Sequence, residues 1–381
     1  MPNIVYDFLN NITDYLEIII FPLASISLSV IICFYIYFFI RIIYYKRQQY
    51  SFEKPISIII CAKNELDNLK KNLPAILKQN YPNFEVIVVN DQSNDDSINF
   101  LNELAAKNKH LVIVEVDDFV TTTLGKKFAL TLGIKTAKNE HLLLTDADCL
   151  PSSENWAQKM SSNFNNTNII LGYGSYKKEK TLLNKIIRFD TFNVAQQYLS
   201  FALANQTYMG VGRNLAYKKS LFFKNKGFAS HIHIASGDDD LFIQEITKNN
   251  SATIEISEEA HTISETIKNW QDWIYQKRRH ISTAPLYKTK FKILLSLYPL
   301  SQLLFFLSII LLFILKSNIT YTVILLAIKL ILSYIINYKT MKKLNTYDLY
   351  WLHPLYELLH ILIQVYFVLL NLFKKPEKWS R

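Results

Sequence analysis

The chain has 381 residues, of which 50% are hydrophobic and 19% are charged, and its formal net charge at pH 7 is +10. This length is sufficient for one large domain or two smaller ones with an extensive core. The three cysteines show no C-x-x-C spacing, which favours neither a zinc site nor a disulfide framework and suits a reducing cytoplasm. The positive charge does not indicate nucleic-acid binding, because the basic residues cluster beside long apolar segments.

Four apolar segments are candidates for membrane helices, since about 20 apolar residues cross a bilayer core. The first lacks an early basic region and a cleavage site of small residues, so we interpret it as a retained anchor rather than a signal peptide. Lys329 interrupts the third segment. The fourth contains Glu357, His360 and Gln364, so it either spans the membrane, is re-entrant or lies in the interface. The segments are Ile18–Ile40, Ile293–Leu315, Ile319–Ile336 and Leu355–Phe373.

Basic clusters flank these segments. The positive-inside rule places three clusters, and the polar stretch between the first two, in the cytoplasm. A tail of three lysines breaks this pattern if the fourth segment crosses the membrane. The clusters are Arg41, Lys46 and Arg47; Lys277, Arg278, Arg279, Lys288, Lys290 and Lys292; Lys339, Lys342 and Lys343; and the tail Lys374, Lys375 and Lys378.

Between Pro55 and His280, short β-rich apolar runs alternate with segments of helical periodicity. This alternation predicts an α/β fold with a parallel sheet, whose ligands bind at the carboxyl ends of the strands. There is no G-x-G-x-x-G motif or Walker loop, which argues against a dinucleotide enzyme and a P-loop NTPase. The predicted strands are Ile56–Cys61, Phe84–Val89, Leu111–Val116 and His141–Thr145, and the predicted helices are Leu66–Leu77, Ile98–Ala106 and Gly125–Ala137.

Asp146 and Asp148 follow the fourth predicted strand in the pattern Asp-Ala-Asp. Two carboxylates at this spacing can offer hard oxygen ligands to Mg²⁺ or Mn²⁺. A metal held in this way can neutralise the charge of a departing nucleoside diphosphate. The sequence therefore predicts a metal and diphosphate site at the carboxyl edge of the sheet.

Polar residues also follow the first two predicted strands, where Asn64, Glu65 and Asp91 are expected at the same edge. Many such residues only cap helices or form turns. We assign that simpler role to three neighbouring residues, which are Ser93, Asn94 and Asp95.

The chain resembles the start of family-2 glycosyltransferases with the GT-A fold in two runs, I-S-I-I-I-C-A-K-N-E and N-Y-P-N-F-E-V-I-V-V-N-D-Q-S-N-D-D-S. The similarity continues through Gly125–Leu130 and Leu144–Cys149 and covers most of Pro55–His280. It implies a Rossmann-like GT-A domain that binds a nucleotide sugar, with a UDP-sugar as the expected donor. The implied contacts are Ala62, Asn64, Glu65 and Asp91 to the base and ribose, Lys126 to the nucleotide or its phosphates, Asp146 to the nucleotide sugar, and Asp148 to Mg²⁺ or Mn²⁺. Lys127 is expected to be solvated.

A second part of the resemblance lies at Ser236–Leu241, S-G-D-D-D-L, which is similar to the family's E-D-x-D-L segment. There one carboxylate acts as general base on the acceptor hydroxyl, and direct displacement inverts the anomeric carbon. The alignment places the base at Asp238, and a shift by one residue gives Asp239. Gly237 departs from the pattern, which commonly has Glu. The alternative is an Asp-rich helix N-terminus stabilised by the helix dipole.

Two further segments resemble family motifs. Gly210–Tyr217, G-V-G-R-N-L-A-Y, is similar to a segment on the acceptor side of the site, where Gly210, Gly212 and Asn214 are the implied contacts. Gln276–His280, Q-K-R-R-H, is similar to the Q-x-x-R-W motif of membrane synthases. Gln276 and Arg279 are then catalytic residues, and Arg279 binds the diphosphate.

His280 stands where that motif has Trp, which counts against processive polymerisation. Trp270 and Trp273, together with Ile267 and Ile274, predict an amphipathic helix at the membrane interface.

These features predict an anchor in residues 1–50, a GT-A domain in 51–285 and transmembrane helices in 286–381. The predicted function is inverting sugar transfer from a nucleotide sugar to a lipid or glycan acceptor near the membrane. The predicted location is the inner cell membrane, with several spans and a cytoplasmic catalytic domain. The alternatives are a processive polysaccharide synthase and a non-catalytic membrane scaffold.

Overall fold

The computed structural model describes residues 2–47, 51–117, 125–234 and 236–373, with side chains between residues 15 and 371. The described residues between Ile56 and Ser264 form a seven-stranded sheet and a second sheet of three short strands. The strands are β1 (Ile56–Ala62), β2 (Phe84–Asn90), β3 (Leu111–Glu115), β4 (His141–Asp146), β5 (Cys149–Pro151), β6 (Ile169–Gly172), β7 (Gly174–Tyr176), β8 (Leu215–Lys218), β9 (Ala252–Glu255) and β10 (Thr262–Ser264).

The large sheet has the strand order β3-β2-β1-β4-β8-β6-β9, and the small sheet has the order β5-β10-β7. Strands β1 to β4 pair in parallel, which confirms the four predicted strands and their predicted parallel pairing. Strand β8 is antiparallel to both β4 and β6. The sheet is therefore mixed, and the carboxyl ends of β1, β2 and β4 lie at one edge.

Helices cover both faces of the large sheet. The three helices predicted between the first four strands are confirmed to within one residue at each end. The helices are α1 (Pro2–Phe34), α2 (Ile40–Tyr44), α3 (Leu66–Leu77), α4 (Ser97–Lys107), α5 (Lys126–Thr136), α6 (Trp156–Ser161), α7 (Leu182–Leu203), α8 (Lys219–Lys224), α9 (Asp240–Ile246), α10 (Trp270–Ile281), α11 (Thr289–Ile314), α12 (Ile319–Lys343) and α13 (His353–Phe373).

The strands of the parallel region contribute side chains to two cores, because successive side chains of a strand point to opposite faces. Ile58 belongs to the core that contains α3, α4 and α6, whereas Ile59 belongs to the core that contains α5 and α7. Helix α5 packs closely on β1, since a Cβ at Gly133 would lie 2.8 Å from Cγ2 of Ile59. This close packing fixes the N-terminus of α5 near the carboxyl end of β1.

Among the described residues, four helices are long and apolar enough to cross a membrane, as the sequence predicts. A π-helical turn at Tyr35–Phe39 connects α1 to α2 within the first of them. The four candidate spans are Tyr15–Tyr44, Thr289–Ile314, Ile319–Lys343 and His353–Asn371.

Polar side chains within α12 and α13 pair with each other inside the helix bundle. Lys329 of α12 and Glu357 of α13 form a buried ion pair, and the side-chain amide of Gln302 in α11 donates to the same carboxylate. Ser333 of α12 lies 2.8 Å from the His353 imidazole. Since charges in an apolar environment persist when they are paired, these contacts explain the polar interruptions of both segments.

Helix α13 contacts α11 and α12 with its first half and α7 and α10 with its second half. His360 Nε2 lies 3.1 Å from Asp190 in α7, and the Phe367 ring packs at 5.8 Å from that of Trp273 in α10. Near its end, Asn371 accepts a hydrogen bond of 2.9 Å from Arg278 of α10. The second half of α13 therefore packs against α7 and α10. The basic tail after it lies outside the described residues.

Candidate active site

The predicted polar residues of β1, β2 and β4 meet at the carboxyl edge of the sheet. Parallel pairing sets Cys61 of β1 opposite Asp146 of β4. The Asp91 N–H donates a hydrogen bond of 2.8 Å to the Ala62 carbonyl, and burial raises the pKa of the Asp91 carboxyl. Burial also raises the pKa of Glu65, which accepts a hydrogen bond of 2.6 Å from Asn68.

The loops after β1 and β2 are bound to each other through Asn64. This residue has a positive φ of 55°, its Oδ1 accepts from the Asn94 N–H at 2.8 Å, and its own N–H donates to the Ser93 hydroxyl at 3.0 Å. Asp95 accepts from the Leu66 N–H at 3.0 Å, at the start of α3. Ser93, Asn94 and Asp95 therefore shape the loops, as predicted.

Lys126 lies between carboxylates that come from two distant parts of the chain. Its Nζ is 2.6 Å from Asp146 and 3.6 Å from Asp238. Burial opposes ionisation of Asp146, but the charge and hydrogen bond of Lys126 outweigh it and hold the pKa of Asp146 below its usual range. Both carboxylates likewise keep the pKa of Lys126 well above its ordinary value, against the effect of burial. Lys126 therefore stays charged and brings Asp146 and Asp238 together.

Asp148 has the properties of a ligand for a hard cation. One oxygen each of Asp146 and Asp148 and the Cys149 sulfur lie within 4.8 Å of one another. Burial, followed by the charge of Asp148, raises the pKa of the Cys149 thiol well above its ordinary value, and the thiol donates to Asp148 at 3.3 Å. A protonated thiol is a poor ligand, so the two carboxylates remain, and their oxygens fit Mg²⁺ or Mn²⁺ better than Zn²⁺.

Three consecutive carboxylates at the start of α9 have three different environments. Asp239 caps α9, since its oxygens accept from the N–H groups of Gly212 and Asp240, each at 2.9 Å. Burial and the neighbouring charges of Asp238 and Asp240 raise the pKa of Asp239 to about 7. Asp240 is buried and accepts from the hydroxyls of Thr283, at 2.5 Å, and Tyr287, at 2.7 Å. Asp238 instead points to Lys126, on the side of Asp146.

The expectation that Lys127 is solvated is wrong. Lys127 is 1% exposed, and its Nζ donates to the carbonyls of His231 at 2.6 Å and Ile234 at 3.0 Å. Burial lowers its pKa. The helix periodicity turns this residue inward, where it fixes the chain that leads to Asp238.

The Gly210–Tyr217 segment contributes backbone to the site, but not the side chain of Asn214. The Gly212 N–H binds Asp239, and Gly210 has no room for a side chain because a Cβ would lie 2.9 Å from Leu215. Asn214 is fully buried, and its amide donates to the carbonyls of two neighbouring segments and accepts from an indole N–H. Its partners are Tyr173 at 3.0 Å, Ala260 at 2.7 Å and Trp156 at 3.0 Å. The structure thus places Asn214 in the core rather than on an acceptor surface.

Helix α10 carries the Q-K-R-R-H segment past the site. Lys277 forms an ion pair of 2.7 Å with Asp190 of α7, and this pair joins α10 to α7. The charge of Arg279 reaches Asp146 and contributes to its low pKa. Gln276 accepts from the Tyr176 hydroxyl at 3.3 Å.

His280, which stands where the synthase motif has Trp, is exposed at the end of α10. The predicted amphipathic helix is α10 itself. Trp273 is 2% exposed and packs on Phe367 of α13, whereas Trp270 is 45% exposed.

Sequence reasoning missed Arg213, whose charge acts on both Asp146 and Asp148. Arg213 lies between Gly212 and Asn214 of the Gly210–Tyr217 segment, at a position for which no role was predicted. An arginine directly after a glycine that approaches the site was the available signal.

The sequence model of the protein family described as glycosyl transferase family 2 matches residues 57–224 of this chain. An uncharacterized glycosyltransferase of Haemophilus influenzae is 27% identical over 121 residues, which are 32% of this chain and 36% of that protein. A poly-β-1,6-N-acetyl-D-glucosamine synthase of Staphylococcus epidermidis is 32% identical over 93 residues, which are 24% of this chain and 21% of that protein. The chain thus spans less than half the length of these relatives.

Among solved structures, the chain is similar to mannosyltransferase PcManGT from Pyrobaculum calidifontis, in complex with GDP-Man and Mn²⁺. The two chains are 19% identical, the match covers 87% of this chain and 96% of that one, and the TM-score is 0.57. This likeness shows a shared GT-A fold.

Proposed function

We propose that this chain, which belongs to glycosyl transferase family 2, transfers a sugar from a nucleotide-sugar donor to a lipid or glycan acceptor at a membrane surface. The observation that carries the proposal is the convergence of Asp146, Asp148, Lys126 and Asp238 at one sheet edge. Four helices able to cross a membrane support a membrane-proximal acceptor. The GDP-Man and Mn²⁺ in the similar mannosyltransferase support a donor of this class.

The donor side of the proposed site consists of the loops after β1, β2 and β4. Asn64, Glu65 and Asp91, with the Ala62 backbone, would bind the base and ribose, because carboxylates there can accept hydrogen bonds from ribose hydroxyls. Asp148 would hold Mg²⁺ or Mn²⁺, which when bound supplies positive charge to the diphosphate. Lys126 adds a permanent charge beside the same group.

The acceptor side is the start of α9, where we assign the general base to Asp238. Asp239 uses both oxygens to hold backbone N–H groups, and Asp240 is occupied by Thr283 and Tyr287, whereas Asp238 faces Lys126 and Asp146. Asp238 takes the proton of the acceptor hydroxyl while the oxygen of that hydroxyl attacks the anomeric carbon. The bond from that carbon to the diphosphate breaks on the opposite face, so the configuration inverts.

The test is donor turnover by the purified full chain with Mn²⁺ and a panel of UDP-, GDP- and TDP-sugars. We expect Asp148→Asn and Asp238→Asn to lose turnover by about 10²-fold or more, as is typical for groups that act on the transition state. Asp67→Asn, an exposed carboxylate on α3, is the matched control and retains turnover. Equal turnover in all four proteins would exclude the proposed site.

Product length separates single transfer from polymerisation in the same assay. His280 in place of Trp favours a single transfer, so we expect one added sugar per acceptor. A ladder of long products would support the synthase alternative. No turnover by the unaltered protein with any donor would support the scaffold alternative.

A further inference from the structure

Arg213 is fixed to the strand that delivers the carboxylate pair. Its carbonyl accepts hydrogen bonds of 3.0 Å from the hydroxyls of Thr145 and Thr262. Thr145 lies in β4 directly before Asp146, and Thr262 begins β10. The Arg213 backbone therefore cannot move independently of the predicted metal ligands.

The side chain of Arg213 is held in one direction by the small sheet. Its guanidinium carbon lies over the Tyr176 ring, 4.6 Å from the centroid. Gly174 faces the same side chain, and a Cβ there would lie 3.2 Å from the Arg213 Cβ. The Tyr176 hydroxyl binds Gln276 of α10, the helix that also carries Arg279. A guanidinium held in this way loses little conformational entropy when it binds a ligand.

The guanidinium has an unused donor. Nη1 is buried, and no atom of the described residues accepts a hydrogen bond from it. A buried polar group without a partner is costly, so such a group in a functional site requires an explanation. The positive charge nevertheless acts on Asp146 and Asp148, as the charge of Arg279 acts on Asp146. An acceptor that binds beside these carboxylates would satisfy Nη1.

We infer that Arg213 binds the diphosphate of the donor, with Nη1 donating to a phosphate oxygen beside the Asp146 and Asp148 pair. This inference rests on the proposed function. A phosphate oxygen suits the position because a planar guanidinium pairs with phosphate through charge-assisted hydrogen bonds. A neutral sugar hydroxyl would not compensate a buried cation to the same degree. Arg213 and Arg279 would thus bind the same leaving group from two different elements.

The test compares the affinity of UDP and GDP, each with Mn²⁺, with that of uridine and guanosine, using the full chain in detergent. Arg213→Gln should weaken binding of the diphosphate by about 10- to 100-fold, the usual effect of losing a hydrogen bond to a charged group. Nucleoside affinity should change by less than about twofold. Arg213→Lys keeps the charge but not the planar fork, and should show a smaller loss. Arg41→Gln is the control, since Arg41 also lies over a tyrosine ring, at 5.1 Å from Tyr37, but on the first membrane helix.

The outcomes separate this inference from the proposed function. Binding of a diphosphate by the unaltered protein with an unchanged affinity in Arg213→Gln overturns the inference alone. An equal loss for nucleoside and diphosphate also overturns it, because it indicates a general structural role. Absence of any diphosphate binding by the unaltered protein refutes the proposed function and this inference together. If Arg213→Gln does not fold, Arg213→Lys decides by the same comparison.

Discussion

Replacing Asn214 by Ala tests whether this residue acts in the core or on the acceptor. Its amide makes hydrogen bonds to Tyr173, Ala260 and Trp156, and no part of its side chain is exposed. Alanine leaves the Ala260 carbonyl and the Trp156 indole N–H without this partner, each at a cost of roughly 1–3 kcal/mol, whereas the Tyr173 carbonyl still accepts from the Thr262 N–H at 3.2 Å. The total loss in the free energy of unfolding is therefore about 2–6 kcal/mol. At roughly 2 °C per kcal/mol, the melting temperature should fall by about 4–12 °C.

The assay is thermal unfolding of the full chain in detergent, together with the KM for acceptor of the folded fraction. Asn99→Ala is the matched control, because Asn99 is exposed on α4 and binds only its neighbour Asp96 among the described residues. We expect Asn214→Ala to melt earlier with an unchanged KM for acceptor, and Asn99→Ala to resemble the unaltered protein. An unchanged melting temperature together with a raised KM for acceptor would show that Asn214 acts on the acceptor instead.

The remaining predictions concern pH, metal and the membrane helices. Because burial and the neighbouring charges of Asp238 and Asp240 raise the pKa of Asp239 to about 7, Asp239, which caps α9 beside Asp238, gains a proton as the pH falls through 7. The rate kcat/KM should therefore decrease on the acid side with an apparent pKa near 7, and a rate that is constant down to pH 5 would contradict the assignment. Chelation of divalent metal should abolish turnover, and added Mn²⁺ should restore it unless Asp148 is replaced; turnover that resists chelation would exclude the metal. Glu357→Gln should lower the free energy of unfolding by about 3–5 kcal/mol, because it leaves Lys329 buried without its counter-ion. The double replacement Lys329→Met with Glu357→Leu should recover most of the lost stability in thermal unfolding. Equal stability of the unaltered protein and both variants would show that the ion pair is dispensable.

The sequence was sufficient to predict the parallel half of the sheet and the residues that follow its strands. The run Ile56–Cys61 is apolar at every position except Ser57, which is typical of strands buried on both faces. The residues directly after these runs lie at the sheet edge for the same topological reason. Hence the position of Asp146 and Asp148 could be predicted without a structure.

The roles of Asn214, Lys127 and Arg213 could not be predicted in this way. Each depends on contacts between segments far apart in sequence, such as the bonds from Asn214 to Tyr173 and Ala260. A polar residue inside a motif has the same sequence signature whether it binds a ligand or the protein core. Burial and hydrogen-bond partners distinguish these cases, and both are properties of the folded chain.

The fourth apolar segment shows the same limit. Hydropathy gives length and composition, and on these grounds α13 can cross a membrane. Its polar residues Glu357 and His360 have partners on α12 and on α7, which only the packing reveals. The contact of Asn371 with Arg278 then places the end of α13 beside α10.

The most direct measurement of the central claim is an anomalous difference map of the full chain crystallised with Mn²⁺ and a nucleoside diphosphate. We expect one Mn²⁺ peak between the Asp148 carboxylate and the diphosphate, with Lys126 and Arg213 beside the phosphates. A diphosphate bound away from the Asp146 and Asp148 pair, or a Mn²⁺ peak without Asp148 as ligand, would exclude the proposed metal and diphosphate site.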